Sequence, residues 1–430
     1  VVDAAEGRVR DIVAEMDVTG VVGSASEAAV LERAGAEDAD ILIAATRADE
    51  VNLMSCQLAG SVFSVPQKIA RLRSPGYLDR RWQKIFDSGE LPVDEIIYPE
   101  QDVANSIVRW LDVPMATEAV HFLGGKVQFV GLRIGEDCPV AGQPLRQLSE
   151  LFEGLRTMVL ASQRGQGLQI LSGDDVVEAG DIVRFVVEPD ELARTLPLFG
   201  FRTDAVQQLA VVGGGHVGSA VAEAAAGKGI RTRLLETNAR RARRLAERLP
   251  GIQVILGDAL NPAVLEEANV SSSGVLVAVT DDDRTNLLIS ALAKERGARH
   301  VLALNSNPAF GLIADRLSVD ATVNPRTATI SAIISHLRRG SVQALHSLQD
   351  GHATLIEARV VESSTVAGKR LRDSLFPDRS RIGAVLGKGG NLKDIRGDLQ
   401  LENGDRVLLL ADDRDARRIE SLFRAGLSYF

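Results

Sequence analysis

The chain has 430 residues, 45% hydrophobic and 25% charged, enough for about two to four domains of ordinary size. Its net charge of −9 argues against a phosphate-backbone binder, which needs a basic face, so no nucleic-acid partner is expected. No apolar run approaches the roughly 18 residues of a membrane-spanning helix, and Cys56 and Cys138 offer neither metal-ligand spacing nor a disulfide framework. They read as small buried thiols of a reducing compartment.

Taken in chain order, two kinds of unit alternate as A-B-A′-B′. Unit A begins on Val1-Val2-Asp3, the end of a strand closing on an acid. The segment Gly23–Ala34 runs into the apolar strand Ala39–Thr46, and Asp49 and Asn52 follow. The segment Lys68–Pro75 comes next, with Arg71 and Arg73 following the apolar strand, and Val93-Asp94 and Pro99 come after it. Unit B has the alternating strand Val127–Ile134, the segment Val140-Ala-Gly-Gln-Pro-Leu-Arg146, and a Gly-Asp turn entering the strand Asp181–Val187.

Unit A′ repeats the first plan, with predicted strands Leu209–Val212, Thr232–Glu236, Gln253–Leu256, Val275–Thr280 and His300–Leu304. Amphipathic segments such as Thr237–Leu249 and Thr285–Arg296 lie between them. Glu236 corresponds to Asp3, Gly257–Ala268 to Gly23–Ala34, Asp283 and Asn286 to Asp49 and Asn52, and Pro308 to Pro75. Unit B′ repeats the second plan through Val366–Arg372 and Glu402–Val407. So many landmarks in one order do not arise by chance.

Alternating strands and helices of this spacing predict an α/β fold. Each A unit is a Rossmann-like, doubly wound parallel sheet, and each B unit a small α+β module built from hairpins. Boundaries near Thr117, Leu198 and Ser347 divide the chain into 1–116, 117–198, 199–346 and 347–430.

Gly213-Gly214-Gly215-His216-Val217-Gly218 satisfies G-x-G-x-x-G directly after a predicted strand and at the start of a predicted helix. Such glycines let backbone N–H groups approach a pyrophosphate, and the helix N-terminus favours its charge. Glu236, 23 residues after Gly213, stands where it can accept bonds from ribose hydroxyls. That favours a free 2′-OH, hence NAD(H), ADP or ATP over NADP. The bland alternative is a tight strand–helix turn in a degenerate copy. His216 either touches phosphate or is an ordinary loop side chain.

In unit A the strand, glycine loop and helix that should precede Asp3, roughly 25–30 residues, are expected ahead of Val1. Without them the first site cannot cradle phosphate in the usual way. Arg71 and Arg73 fall where unit A′ has Asn305 and its neighbours. They read either as partners of extra ligand charge, such as a third phosphate, or as a solvated surface pair.

The sequence offers no constellation for catalysis: no general acid–base pair, no nucleophile motif and no Walker A loop. Asp281-Asp282-Asp283 reads as a helix cap rather than a metal cluster.

The tandem order, together with Ala34–Asp40, Ala45-Thr46, Asp49-Glu50, Asn52, Ile69–Pro75, Val211–Gly218 and the Gly-Asp-x-Val turns of the B units, resembles the TrkA family. Its members are regulatory subunits of bacterial Trk potassium uptake systems. The A units correspond to RCK N-terminal (KTN) domains and the B units to RCK C-terminal domains. The resemblance implies a ring-forming, cytoplasmic subunit peripheral on the inner face of the plasma membrane. It would dock on a potassium-translocating partner of the TrkH or TrkG type and bind NAD(H) and ATP or ADP. By motif match, the second site would use Gly213, Gly214, Gly215, His216, Val217, Glu236, Asp283 and a residue near Ser306. The first would use Asp3, Thr46, Arg47, Arg71 and, beside them, Arg73. Two other readings stand at this point: an NAD-dependent oxidoreductase with duplicated Rossmann units, and an RCK regulator of another cation channel or exchanger.

Overall fold

The structure, a computed structural model, describes all residues except 79, 148–154, 166, 203–204, 328, 331–332, 334–341, 349–352 and 425–430. The chain forms two compact bodies. One comprises Val1–Asp102 and Arg326–His336, the other Val103–Pro325 and Leu337–Phe430.

In the first body, β1 (Val2–Asp3) pairs in parallel with β2 (Val21–Val22), with α1 (Glu6–Glu15) between them. The short helix α2 (Ala28–Arg33) leads to a second parallel sheet, β3 (Ile41–Ala44), β4 (Gln67–Arg71) and β5 (Glu95–Ile97). Two helices follow strands here, α3 (Asp49–Ser61) and α4 (Arg80–Asp87), while α5 (Pro99–Trp110) has residues in both bodies. Among the described residues no strand joins the two sheets. Ile43 in β3 is accordingly 42% exposed.

The second body shows what such a joining strand does. Its first sheet has the order β13-β12-β11-β14-β15-β16, parallel throughout. The strands are β11 (Gln208–Val212), β12 (Arg231–Glu236), β13 (Gln253–Leu256), β14 (Gly274–Ala278), β15 (His300–Leu304) and β16 (Ala321–Val323). This is the doubly wound arrangement read from the sequence, with β11 bonded on both sides. Val277, the counterpart of Ile43, is 0% exposed. The helices α6 (His216–Gly227), α7 (Ala239–Arg248) and α8 (Asp283–Glu295) are crossovers. The predicted strand Val275–Thr280 ends at Ala278 instead. Val279 N–H still reaches the Val212 carbonyl at 2.8 Å, but Thr280 is captured by Asn286.

The B units are antiparallel, as their alternation predicts. One has five strands in the order β6-β7-β10-β8-β9: β6 (Ala116–Phe122), β7 (Val127–Arg133), β8 (Thr157–Arg164), β9 (Gly167–Ile170) and β10 (Ile182–Val187). The other has four in the order β17-β18-β20-β19: β17 (Val342–Ser347), β18 (Ala353–Arg359), β19 (Ser380–Leu386) and β20 (Arg406–Asp412), followed by α9 (Asp413–Phe423).

These two modules share one apolar core. Phe122, Phe129 and Leu160 of the first pack with Leu355, Leu386 and Leu408 of the second. Buried polar groups cross the same seam. Glu357 accepts the Leu123 N–H at 2.8 Å and pairs with Arg406. Glu118, 2.6 Å from Arg184, lies 3.5 Å from His346 Nε2, whose ring stands edge-on to Phe122 and Phe129. Apolar burial drives the pairing, and the charged groups fix its register, because an unpaired buried charge is costly.

Candidate nucleotide-binding site

The second-repeat cradle forms where β11 ends and α6 begins. Gly213 has φ +106°, a conformation that favours glycine, and a Cβ there would sit 2.8 Å from the Val279 carbonyl oxygen. A Cβ on Gly218 would collide with the carbonyl of Gly213, so the helix can pack onto the loop only without a side chain. Gly215 precedes α6, and His216 and Val217 open it; His216 is exposed and Val217 half-buried. The first-turn N–H groups of α6 therefore lie on the loop, the arrangement that receives a phosphate.

Glu236 ends β12 beside this loop and is 4% exposed. Its Oε2 accepts the Gly214 N–H at 3.0 Å and lies 3.1 Å from Arg241 Nη1; its Oε1 accepts the Asn238 N–H at 2.7 Å. Burial alone would raise this carboxyl's pKa. Hydrogen bonds from the Asn238 amide and the Arg241 side chain, the Arg241 charge and the Gly214 amide together hold it below the ordinary carboxylate range. It is thus a charged acceptor at neutral pH.

The far wall is set by Asn286. Its Oδ1 accepts the amide and hydroxyl of Thr280 at 2.8 and 2.7 Å, and its Nδ2 donates to the carbonyls of Thr280 and Leu304. One buried side chain thereby ties the ends of β14 and β15. Ser306 lies half-buried just beyond β15. The acidic triplet caps α8 through its middle member, Asp282, which accepts the Arg284 N–H at 2.9 Å. Among the described residues the Asp283 side chain forms no hydrogen bond or ion pair.

The first repeat reproduces half of this geometry. Asn52 binds Thr46 and the Arg71 carbonyl as Asn286 binds Thr280 and the Leu304 carbonyl. Thr46, a candidate ligand, thus commits its amide and hydroxyl to the Asn52 side chain of α3, and Arg47 beside it is exposed. The two arginines differ. Arg73 pairs with Glu100 at 3.1 Å, while its amide and that of Ser74 donate to Asp49. The half-buried Arg71 has a buried Nε with no partner among the described residues. Tyr98, just past β5, has a buried hydroxyl with no hydrogen bond among the described residues, and its pKa is pushed up to about 12 by burial, then by Asp49 and Tyr77. Asp3 ends β1 in the separate two-stranded sheet, its carboxylate accepting the Ala5 N–H at 2.8 Å.

Sequence reasoning passed over Arg241, Tyr98 and the Asn locks as parts of the site. The asparagines and Arg241 had a readable signal: each recurs at the matching place in the other repeat.

Comparison with known proteins settles the family. The TrkA-N domain model matches residues 1–99 and 209–325, and the TrkA-C domain model 129–200 and 355–424. The chain belongs to the TrkA family. It is 39% identical over its whole length to a Trk system potassium uptake protein TrkA from Azorhizobium caulinodans, covering 94% of that protein. A TrkA from Halomonas elongata is 36% identical, again over 100% of this chain and 94% of its own. The GsuK channel bound to NAD superposes with a TM-score of 0.57 at 15% identity, over 98% of this chain and 74% of that one, a likeness of fold. Both cysteines of this TrkA-family chain are free and buried, and no described helix is long and apolar enough to cross a membrane.

Proposed function

We propose that this chain is the nucleotide-sensing regulatory subunit of a Trk-type potassium uptake system. It works on the cytoplasmic face of the membrane, as part of a ring of such chains docked on a potassium-translocating partner of the TrkH or TrkG type. The observation that carries the reading is the cradle itself. Gly213 and Gly218 leave no room for side chains where β11 turns into α6, the first-turn amides of α6 open onto that loop, and a charged, buried Glu236 ends β12 beside it, which supports a pyrophosphate on the loop and a ribose at Glu236. Full-length kinship to curated TrkA proteins supplies the transport context.

NAD(H), ADP and ATP would bind with phosphates at the start of α6, with His216 and Val217 in the first turn, Glu236 on ribose, and Asp283 and Ser306 on the opposite lip. The first repeat would contribute Asp3, Thr46, Arg47, Arg71 and Arg73, with Arg71 the guanidinium best placed for a terminal phosphate. A ligand shifts a ring only through different affinities for its two conformations. Phosphate charge, read by arginines in one repeat and by backbone amides in the other, supplies such a difference.

The test is nucleotide-titrated potassium flux through the membrane partner reconstituted with this subunit. Flux that changes with NADH or ATP, in opposite senses or with different midpoints, supports the reading. A subunit that binds no nucleotide, or flux indifferent to it, sinks it. Steady turnover of NADH with carbonyl substrates would favour the oxidoreductase reading instead.

A further inference from the structure

Both repeats seat an arginine five residues after the acid at the ribose position and aim it at that acid. Arg241 Nη1 lies 3.1 Å from Glu236 Oε2, and Arg8 Nη1 lies 3.7 Å from Asp3 Oδ2. The backbone cap recurs as well: the amide two residues on donates to the carboxylate in each copy, Asn238 at 2.7 Å and Ala5 at 2.8 Å.

In the second repeat the consequence can be followed atom by atom. An ionised carboxylate has about four acceptor positions. Oε2 of Glu236 holds the Gly214 amide and Arg241, while Oε1 holds the Asn238 amide and, at 3.4 Å, the Thr237 hydroxyl. The protein's own donors therefore surround the acid, and a ribose hydroxyl must displace one of them. The amides are fixed by the loop and by the first turn of α7. The Arg241 side chain is 48% exposed, sits on that turn and can swing outward.

We infer that Arg241 is a specificity-determining residue, an internal counter-ion that occupies the ribose acid until a ribose hydroxyl replaces it. The inference rests on the nucleotide reading above. It has two consequences of opposite sign. Competition from Arg241 weakens ligands with a free 2′-OH. The same guanidinium beside Glu236 softens the repulsion that a lone carboxylate would exert on a 2′-phosphate.

The experiment is calorimetric titration of the full chain with NAD and with NADP, for wild type, Arg241→Gln, Arg241→Lys and Arg244→Gln. Loss of an ion pair at this exposure should tighten NAD about two- to fivefold in Arg241→Gln and weaken NADP. Arg241→Lys keeps a competing charge and stays near wild type. Arg244 is an exposed arginine of the same helix, and Arg244→Gln, which removes the same charge, should not tighten NAD. Unchanged or weaker NAD binding in Arg241→Gln overturns the inference, as does equal tightening in Arg244→Gln. A wild-type chain that binds neither dinucleotide overturns the NAD(H) part of the proposed function instead.

Discussion

The amide of Gly214 donates to the Glu236 carboxylate at 3.0 Å, joining the end of β12 to the glycine loop. The acid thus shapes the loop on which the proposed nucleotide site is built. Glu236→Ala should therefore do two things. It leaves a buried amide without an acceptor, costing about 1–3 kcal/mol in urea unfolding, and it weakens NAD binding more than tenfold by calorimetry. Stability loss without an affinity change would mean the acid is only a loop brace.

Gly218→Ala tests the packing of α6 on the loop. The added methyl meets the Gly213 carbonyl, which is main chain and cannot rotate away. The helix must lift, so the variant should lose nucleotide binding and about 2 kcal/mol or more of stability. Gly227→Ala is the control. It lies on the same helix with open space around it, and should change neither.

The asparagine locks are expected to matter equally in the two repeats. Asn286→Ala removes the bonds that hold Thr280 and the Leu304 carbonyl, and Asn52→Ala removes those holding Thr46 and the Arg71 carbonyl. Each variant should lose about 2–3 kcal/mol in chemical unfolding, with several buried donors and acceptors unpaired at once. Asn→Asp keeps the acceptor and loses the donor, and should fall between.

Glu118 gives a pH signature. Burial alone would raise its carboxyl, but the Arg184 charge, then His346, bring its pKa down to about 2 from 4.5. The folded state therefore binds its proton less readily than the unfolded chain does. Its stabilisation is present above pH 4.5 and is lost as the pH falls toward 2, in all roughly 3 kcal/mol. Glu118→Gln should flatten this part of the stability profile. It should also cost about 3–5 kcal/mol at neutral pH, because Arg184 keeps its charge without its carboxylate. A wild-type profile already flat between pH 5 and 3 would refute the assignment.

Arg71→Ala should weaken the response to ATP more than the binding of NADH, since its buried Nε, in the first repeat, has no partner among the described residues. Arg73→Ala should have the smaller effect, because Arg73 already pairs with Glu100. Equal losses for both ligands in Arg71→Ala would remove charge sensing from the mechanism.

The sequence by itself determined the tandem plan, the parallel sheet of the second A unit, the antiparallel B units, the glycine loop and the acid that ends β12 beside it. These follow from local rules. Periodicity separates strand from helix, and a glycine pattern between them marks a turn that tolerates no side chain. Asn52 and Asn286 were legible as a repeated position, but their work was not. Each ties carbonyls at the ends of two strands that are far apart in sequence, and only the folded sheet brings those ends together. Tertiary structure likewise separated Arg71 from Arg73, because a glutamate at position 100 takes one guanidinium and burial isolates part of the other. It also decided the seam between the two B modules, where Glu118, Arg184 and His346 converge from different strands. Finally, it put Arg241 on Glu236. A spacing of five along the chain says nothing until a strand end and a helix turn fold the arginine back onto the acid.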